Sequence, residues 1–366
     1  MIIHQIALTL VPGIGCKNAK KLVSYCGGVE AIFTGNSKKL LKIPGIGDST
    51  VNALSAKNLI EIMKRAEKET RFIEKNGINP VFYLDKTYPE RLKHCIDSPI
   101  MLYYKGNADL NANRIISIVG TRRNTPYGKW CCQKIVEELS DYEVLVVSGL
   151  AYGIDSCSHK IALDKGLMTV GILAHGLDMI YPAMNKSLAE RMLVQGGLLT
   201  EFMSATQPDR MNFPKRNRII AGMSDAVVVI EAGKKGGALI TAEIANSYNR
   251  DVFAVPGRVN DFLSEGCNNL IKTNQAALIQ SAQDIIYLMG WEDKAITQKQ
   301  PQTMLFFNLT PEEDKIVKLL EVNGESSMDW LSLSMEIPVS KVASALLNLE
   351  FKGIVKSLPG KMFKLQ

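Results

Sequence analysis

Apolar positions change their spacing twice along the chain. Over roughly the first 70 residues they recur at helical intervals, in short runs broken by two similar turns, VPGIGCKNAKKLV at 11–23 and IPGIGDSTVNAL at 43–54. Each Pro-Gly-Ile-Gly reverses the chain through conformations that glycine adopts cheaply, and leaves backbone amides free at the start of the next helix. From about residue 78 the pattern becomes short, continuous apolar runs with helical stretches between most of them, which predicts strands at 81–84, 101–104, 115–119, 144–147, 169–173, 198–201, 226–230 and 252–255. The expected fold is α/β: a doubly wound, mainly parallel sheet with right-handed helical crossovers on both faces. Residues 292–308 are polar, rich in Gln and Lys, carry Pro301 and read as a linker. Beyond them, TPEEDKIVKLLEVNG opens with a Thr cap and early acids and stops at Gly324. Two further helices, 328–335 and 339–352, and a short hairpin around Pro359 and Gly360 suggest a winged helix. Its recognition-helix position offers only Lys341 and Lys352 as cations, beside Glu350. That poverty favours packing or protein contact there over DNA contact.

The expected division is therefore 1–75 helical, 76–291 α/β, 292–308 linker and 309–366 winged-helix-like. At 366 residues the chain exceeds one core. Seven cysteines, an odd number with no CxxC, suit reduced thiols in a cytoplasm. No leader-like N-terminus and no run of about 18 apolar residues is present, so neither export nor a membrane is expected. The net charge of +6 is modest, and only its local clustering adds to the picture.

Three clusters fall at strand ends, where open α/β sheets bind ligands. In SIVGTRRNTPYG, Gly120 ends a strand and Arg122 and Arg123 follow. In SGLAYGID, Ser148, Gly149 and Gly153 form a flexible loop, with Asp155 near the next helix start, where it caps the helix or orders the loop. In FPKRNRIIAGMSDAVVVIEAGKKGGALITA, Phe213, Lys215, Arg216, Asn217 and Arg218 precede a strand, and Lys234, Lys235, Gly236 and Gly237 follow it. The combination suits an anionic, flat ligand. Neither G-x-G-x-x-G nor G-x-x-x-x-G-K-[ST] occurs, which disfavours NAD and ATP. Ser148, Asp155 and His159 are merely neighbours in sequence and lack a nucleophile-elbow setting. The four histidines show no metal spacing, Cys157 and His159 included. No catalytic residue, cofactor or metal is expected.

Together, VGTR, SGLAYGID, GLDMIYP, FPKRNRIIAGMS, GGALITA, FAVPG and SEGCNNLI, running in order from about Tyr83 to Gly290, resemble the DNA-processing protein A (DprA/Smf) family. The N-terminal repeat resembles a helix-hairpin-helix module; the plain alternative is a tight αα-hairpin. The resemblance implies an extended Rossmann-like domain that binds and protects single-stranded DNA without sequence preference. It also implies a homodimer that loads RecA recombinase in natural transformation. Arg122, Lys215, Arg216 and Arg218 would contact phosphates and Phe213 would stack on a base. Two departures stand out. Tyr152 replaces an expected cation, and GGALITA in place of SGSLITA turns two hydroxyl donors into Gly236 and Ala238, leaving contact there to backbone amides and Lys234 or Lys235. An enzymatic alternative, a LOG or lysine-decarboxylase-like nucleotide hydrolase, would draw on Glu243, but PGGxGT is missing. A mainly protein-binding scaffold is a third reading.

Overall fold

The computed structural model describes residues 2–34, 40–54, 56–291, 309–358 and 360–365. Two compact units result, 1–291 and 292–366.

In the first, nine strands form one sheet: β1 (Asn79–Phe82), β2 (Met101–Gly106), β3 (Ile115–Val119), β4 (Leu145–Ser148), β5 (Thr169–Leu173), β6 (Gly196–Thr200), β7 (Ala226–Val229), β8 (Asp251–Ala254) and β9 (Ala277–Leu278). Their order is β1-β2-β6-β5-β4-β3-β7-β8-β9. The strands from β6 to β9 in this order are parallel; β2 joins β6 antiparallel and β1 joins β2 antiparallel. Each of the eight expected runs is a strand within two residues at either end. The two-residue β9 is too short to leave an apolar run.

Strands β3, β4, β5 and β7 are buried on both faces, as their unbroken Val and Ile runs require. Helices Pro126–Leu139 and Ile154–Asp164 pack on one side with Ile116, Val146 and Val228. Helices Asn212–Met223 and Gly237–Ser247 pack on the other with Ile115, Val147 and Val227. Successive strands β3 to β6 step one way from β3, and β7 to β9 step the other. The chain therefore reverses between β3 and β7. Their carboxyl ends splay the loops that follow and open a crevice.

The N-terminal helices Ile2–Leu10, Cys16–Cys26, Val29–Thr34, Asp48–Ala53 and Ala56–Asn76 share a core with the sheet edge. Ile6, Leu22 and Ile73 pack in the same cluster as Phe82, Met101 and Tyr103. Ser204, after β6, donates its amide and hydroxyl to the buried Glu69 carboxylate at 2.9 and 2.5 Å, and its carbonyl accepts from Arg65 at 2.6 Å. Residue 75 thus marks a change of secondary structure rather than a gap in packing. Both Pro-Gly-Ile-Gly turns are present, with Gly13 and Gly45 at φ +79° and +85°. Their cations serve the fold: Lys21 donates to the Pro44 carbonyl of the second turn at 3.3 Å, and Lys20 donates to Ser98 at 2.5 Å.

In the second unit, helices Pro311–Asn323, Met328–Met335 and Val339–Phe351 carry a three-stranded sheet, β10 (Ser326–Ser327), β11 (Val355–Leu358) and β12 (Met362–Leu365), a winged helix. Thr310 caps the first helix as expected, and Glu313 completes a capping box with it. Lys352 pairs with buried Glu313 at 2.7 Å and Lys341 lies 3.9 Å from Glu312. Glu350 accepts from Ser357 at 2.6 Å. The expected linker, 292–308, and Pro359 lie outside the described residues. All seven cysteines are free thiols. Among the described residues, no helix is long and apolar enough to cross a membrane.

Candidate nucleic-acid interface

The crevice is held open by contacts between the loops after β3, β4 and β7. Gly153 sits at φ +81° with its backbone against Thr121 and Arg122, so a side chain there has neither the conformation nor the room. The Ile154 amide donates to Thr121 O at 3.2 Å, and the Thr121 amide donates to Glu231 O at 2.8 Å. Thr125 caps the helix Pro126–Leu139 by accepting from the Gly128 amide at 3.0 Å. Its own amide and hydroxyl donate to the Glu231 carboxylate at 2.8 and 2.5 Å. Glu231 is only 2 % exposed. Sequence reasoning passed over it, although a lone carboxylate directly after a buried parallel strand was a visible signal.

The cleft so formed measures about 460 Å³. Arg122 and Arg123 line one lip, and Lys235, Gly236 and Gly237 the other. Arg216 and Asn217 lie at its base. Four cations thus face one carboxylate, Asp155. The helix Gly237–Ser247 has Gly236 as its N-cap residue and no side-chain cap, which leaves its first amides without a side-chain partner beside the cleft. A side chain at Gly236 would meet open space, whereas the Gly237 carbonyl accepts from Asn217 at 3.3 Å.

The three neighbouring cations of FPKRNR part company. Arg216 is 4 % exposed; its guanidinium donates to Gly149 O at 2.6 Å, to Ile172 O, and to Asn217 Oδ1 at 3.2 Å. Burial pushes it down to about 10, with Asp155 opposing the shift and Arg122 adding to it, so it stays a cation at neutral pH. Burial likewise pushes the Asp155 carboxyl up, opposed first by Arg216 and then by the Ala151 amide. Asp155 accepts from that amide at 3.4 Å and so orders the loop; it does not cap the helix Ile154–Asp164, whose N-cap residue is Gly153. Gly149 packs against both charged groups and leaves no space for a Cβ. Ser148 donates to Ile118 O at 2.6 Å, away from the cleft.

Arg218, expected at a phosphate, lies elsewhere. Its guanidinium pairs with Glu201 and donates to Asp97 O, fixing the helix to the loops after β6 and before β2. Lys215, three positions earlier and so on the same helix face, is exposed near Glu201 and does not line the cleft. Lys234 also faces away, into a hollow shared with Glu243 and Glu265, so Lys235 is the lysine of the glycine turn that lines the cleft.

Phe213 is half-buried, with the guanidinium carbons of Arg122 and Arg216 at 5.2 and 5.9 Å from its ring centroid. Tyr152 and Tyr181 join these residues around an adjoining hollow of about 50 Å³. The more open aromatic is one that sequence reasoning missed, Phe262, 67 % exposed on the cleft margin beside Gly233. Its signal was a lone Phe in the polar segment GRVNDFLSEG. Ser148 and His159 are fully buried, and His159 Nδ1 meets Thr169 Oγ1 at 2.6 Å, so no triad forms. Among the described residues no His, Cys, Asp or Glu cluster could hold a metal.

The architecture is that of a Rossmann-like α/β protein flanked by helix-hairpin-helix and winged-helix elements. The sequence model of DNA recombination-mediator protein A matches residues 79–290, that of the SAM-like helix-hairpin-helix tandem 6–56, and that of the DprA winged helix domain 300–361. The chain belongs to the DNA recombination-mediator protein A (DprA/Smf) family. It is 31 % identical to Protein Smf of Synechocystis sp., over 99 % of this chain and 98 % of that one. The DNA processing protein DprA of Streptococcus pneumoniae is 41 % identical over 56 % of this chain and 71 % of its own length. An X-ray structure of that protein superposes with a TM-score of 0.68 at 33 % identity, covering 78 % of this chain and 98 % of the other. DNA processing protein A from Helicobacter pylori, whose structure is described in terms of its single-stranded DNA binding mode, superposes at 0.54 with 30 % identity, covering 58 % and 96 %.

Proposed function

We propose that the chain binds single-stranded DNA in the cleft at the β3/β7 switch point, with no preference for sequence and without cutting it. The observation that carries this reading is the balance of four cations against one carboxylate in an open cleft bordered by aromatic rings. Arg122, Arg123 and Lys235 are the proposed phosphate contacts, joined by the Gly237 amide; Lys215, exposed outside the cleft, is proposed as a further contact for the strand as it leaves. Buried Arg216 supplies field from below, and Phe213 holds Arg122 in place. Backbone contact and stacking are indifferent to base identity. The Helicobacter pylori relative, whose structure is described in terms of its single-stranded DNA binding mode, supports a single strand as the ligand. Homodimerisation and the loading of RecA recombinase in transformation are further parts of the proposal that rest on the family resemblance. The winged helix, whose recognition-helix lysines are engaged by Glu312 and Glu313, is proposed as a protein-contact module.

About four phosphate contacts at roughly 0.7 each give a log–log salt slope near −3, or on the order of 50-fold weaker binding at 200 mM than at 50 mM salt. Affinities for matched single and double strands across salt test this. Equal affinity for both, or a flat salt response, would sink the reading. Glu243, on which the hydrolase alternative would draw, opens on the separate hollow with Lys234, which supports the binding reading over that alternative.

A further inference from the structure

Beside the cleft, a second groove of about 650 Å³ runs along helices Pro126–Leu139, Ile154–Asp164 and Lys186–Val194, starting from the loops after β3 and β4. Asn124 and Gly153 line it. Asn124 directly follows Arg123, and Gly153 directly follows Tyr152, so the loops after β3 and β4 separate the two hollows and border both.

The charges of this groove sort into two kinds. Its carboxylates are matched within it: Lys165 lies 3.2 Å from Glu137, and Arg191 lies 2.6 Å from Asp164. Lys129 and Lys160 remain. Both are exposed, and among the described residues neither has an ion pair or a side-chain hydrogen bond. Lys129 stands in the first turn of its helix, where a cation opposes the helix dipole, so its charge does nothing for local stability.

The Cys157 thiol, on the floor of the groove, is drawn down to about 7, first by a hydrogen bond from Cys132 and then, against the effect of burial, by Lys129 and Lys160. With Glu137 and Asp164 already matched, Lys129 and Lys160 leave the groove with a surplus of positive charge for an anion.

We infer that this groove carries the phosphodiester backbone of the strand beyond the cleft, with Lys129 and Lys160 as its phosphate contacts. The inference rests on the reading of the cleft given above and extends it from a pocket to a track. A strand that fills only the cleft leaves the groove untouched; a longer one uses both.

The test is the Lys129→Gln/Lys160→Gln double variant of the full chain, titrated by fluorescence anisotropy with oligothymidylates of roughly six and about 25 nucleotides. On the long strand, binding at low salt weakens about tenfold and the salt slope falls by about 1.4, two contacts at roughly 0.7 each. On the short strand the loss stays under about twofold. The Lys129→Arg/Lys160→Arg variant keeps the wild-type behaviour. A Lys64→Gln/Lys68→Gln variant on the helix Ala56–Asn76 removes the same charge elsewhere and leaves long-strand binding in place. Equal losses on both lengths, no loss on the long strand, or the same loss from the Lys64/Lys68 control would overturn the track while leaving the cleft standing. Wild-type protein that binds neither length overturns both.

Discussion

Replacing Asp155 with Asn should weaken the fold and strengthen the binding of an anion at the same time. Asp155 is the one carboxylate lining the cleft, and it neighbours a guanidinium, Arg216, that is 4 % exposed. Removing one member of a buried charge pair costs about 3–5 kcal/mol. The lower figure applies, because the two groups are neighbours across Gly149 without a direct ion pair, and Arg216 keeps its bonds to Gly149 O, Ile172 O and Asn217. With an unfolding entropy of about 2.1 cal/mol/K per residue, a unit of 291 residues loses roughly 0.6 kcal/mol per degree near its midpoint, so Tm falls by about 5 °C. Against this, a phosphate some 7 Å from the former carboxylate, at an effective dielectric of about 40, gains roughly 1 kcal/mol, about a fivefold tighter Kd at low salt. Scanning calorimetry and single-strand titrations on the same preparation read both quantities. A variant with unchanged Tm would show that the carboxylate does not compensate Arg216. Weaker DNA binding by a folded variant would show that Asp155 touches the ligand itself, and either result refutes the assignment.

Three further outcomes follow from the site. Phe262→Ala should weaken single-strand binding by about 1–3 kcal/mol, with little loss on an abasic strand of the same length; equal losses on both strands would remove the ring from base stacking. Gly236→Ser places a hydroxyl where a side chain meets open space, and affinity should rise several-fold, about 1 kcal/mol for one added hydrogen bond, at unchanged Tm. A clash-driven fall in Tm would count against the geometry of that turn. Alkylation of Cys157 by iodoacetamide should accelerate as pH rises, with a midpoint near 7. Lys129→Gln/Lys160→Gln should move that midpoint upward, since both lysines favour the thiolate; an unmoved midpoint removes them from the groove's field.

The sheet was legible because its central strands β3, β4, β5 and β7 are buried throughout and read as apolar runs, while β9, with only Ala277 and Leu278, had nothing to show. The glycine loops were legible for a related reason, since Gly149 and Gly153 stand where charge or backbone presses on the chain. The FPKRNR cations were legible as a cluster but not as individuals. Helical rotation turns Lys215 and Arg218 to one face and Arg216 to another, and only the positions of Glu201, Asp97 and the Gly149 carbonyl decide which cation is consumed. Phe262 was hidden because its role depends on a loop path that brings it beside Gly233 across more than twenty residues of sequence. The division near residue 75 was a real change of periodicity, yet the core of Ile6, Leu22 and Met101 runs straight through it.

The Glu231 carboxylate, bonded to Thr125 from under the opposite lip of the cleft, also bears on kinetics. With the two lips latched, the site is formed before any ligand arrives, and little ordering entropy remains to be lost on contact. Encounter then needs no prior rearrangement and is set by diffusion and charge, so variants that differ in affinity should differ chiefly in how fast the strand leaves. Cutting the latch with Glu231→Gln should reverse that pattern and slow the arrival of the strand instead.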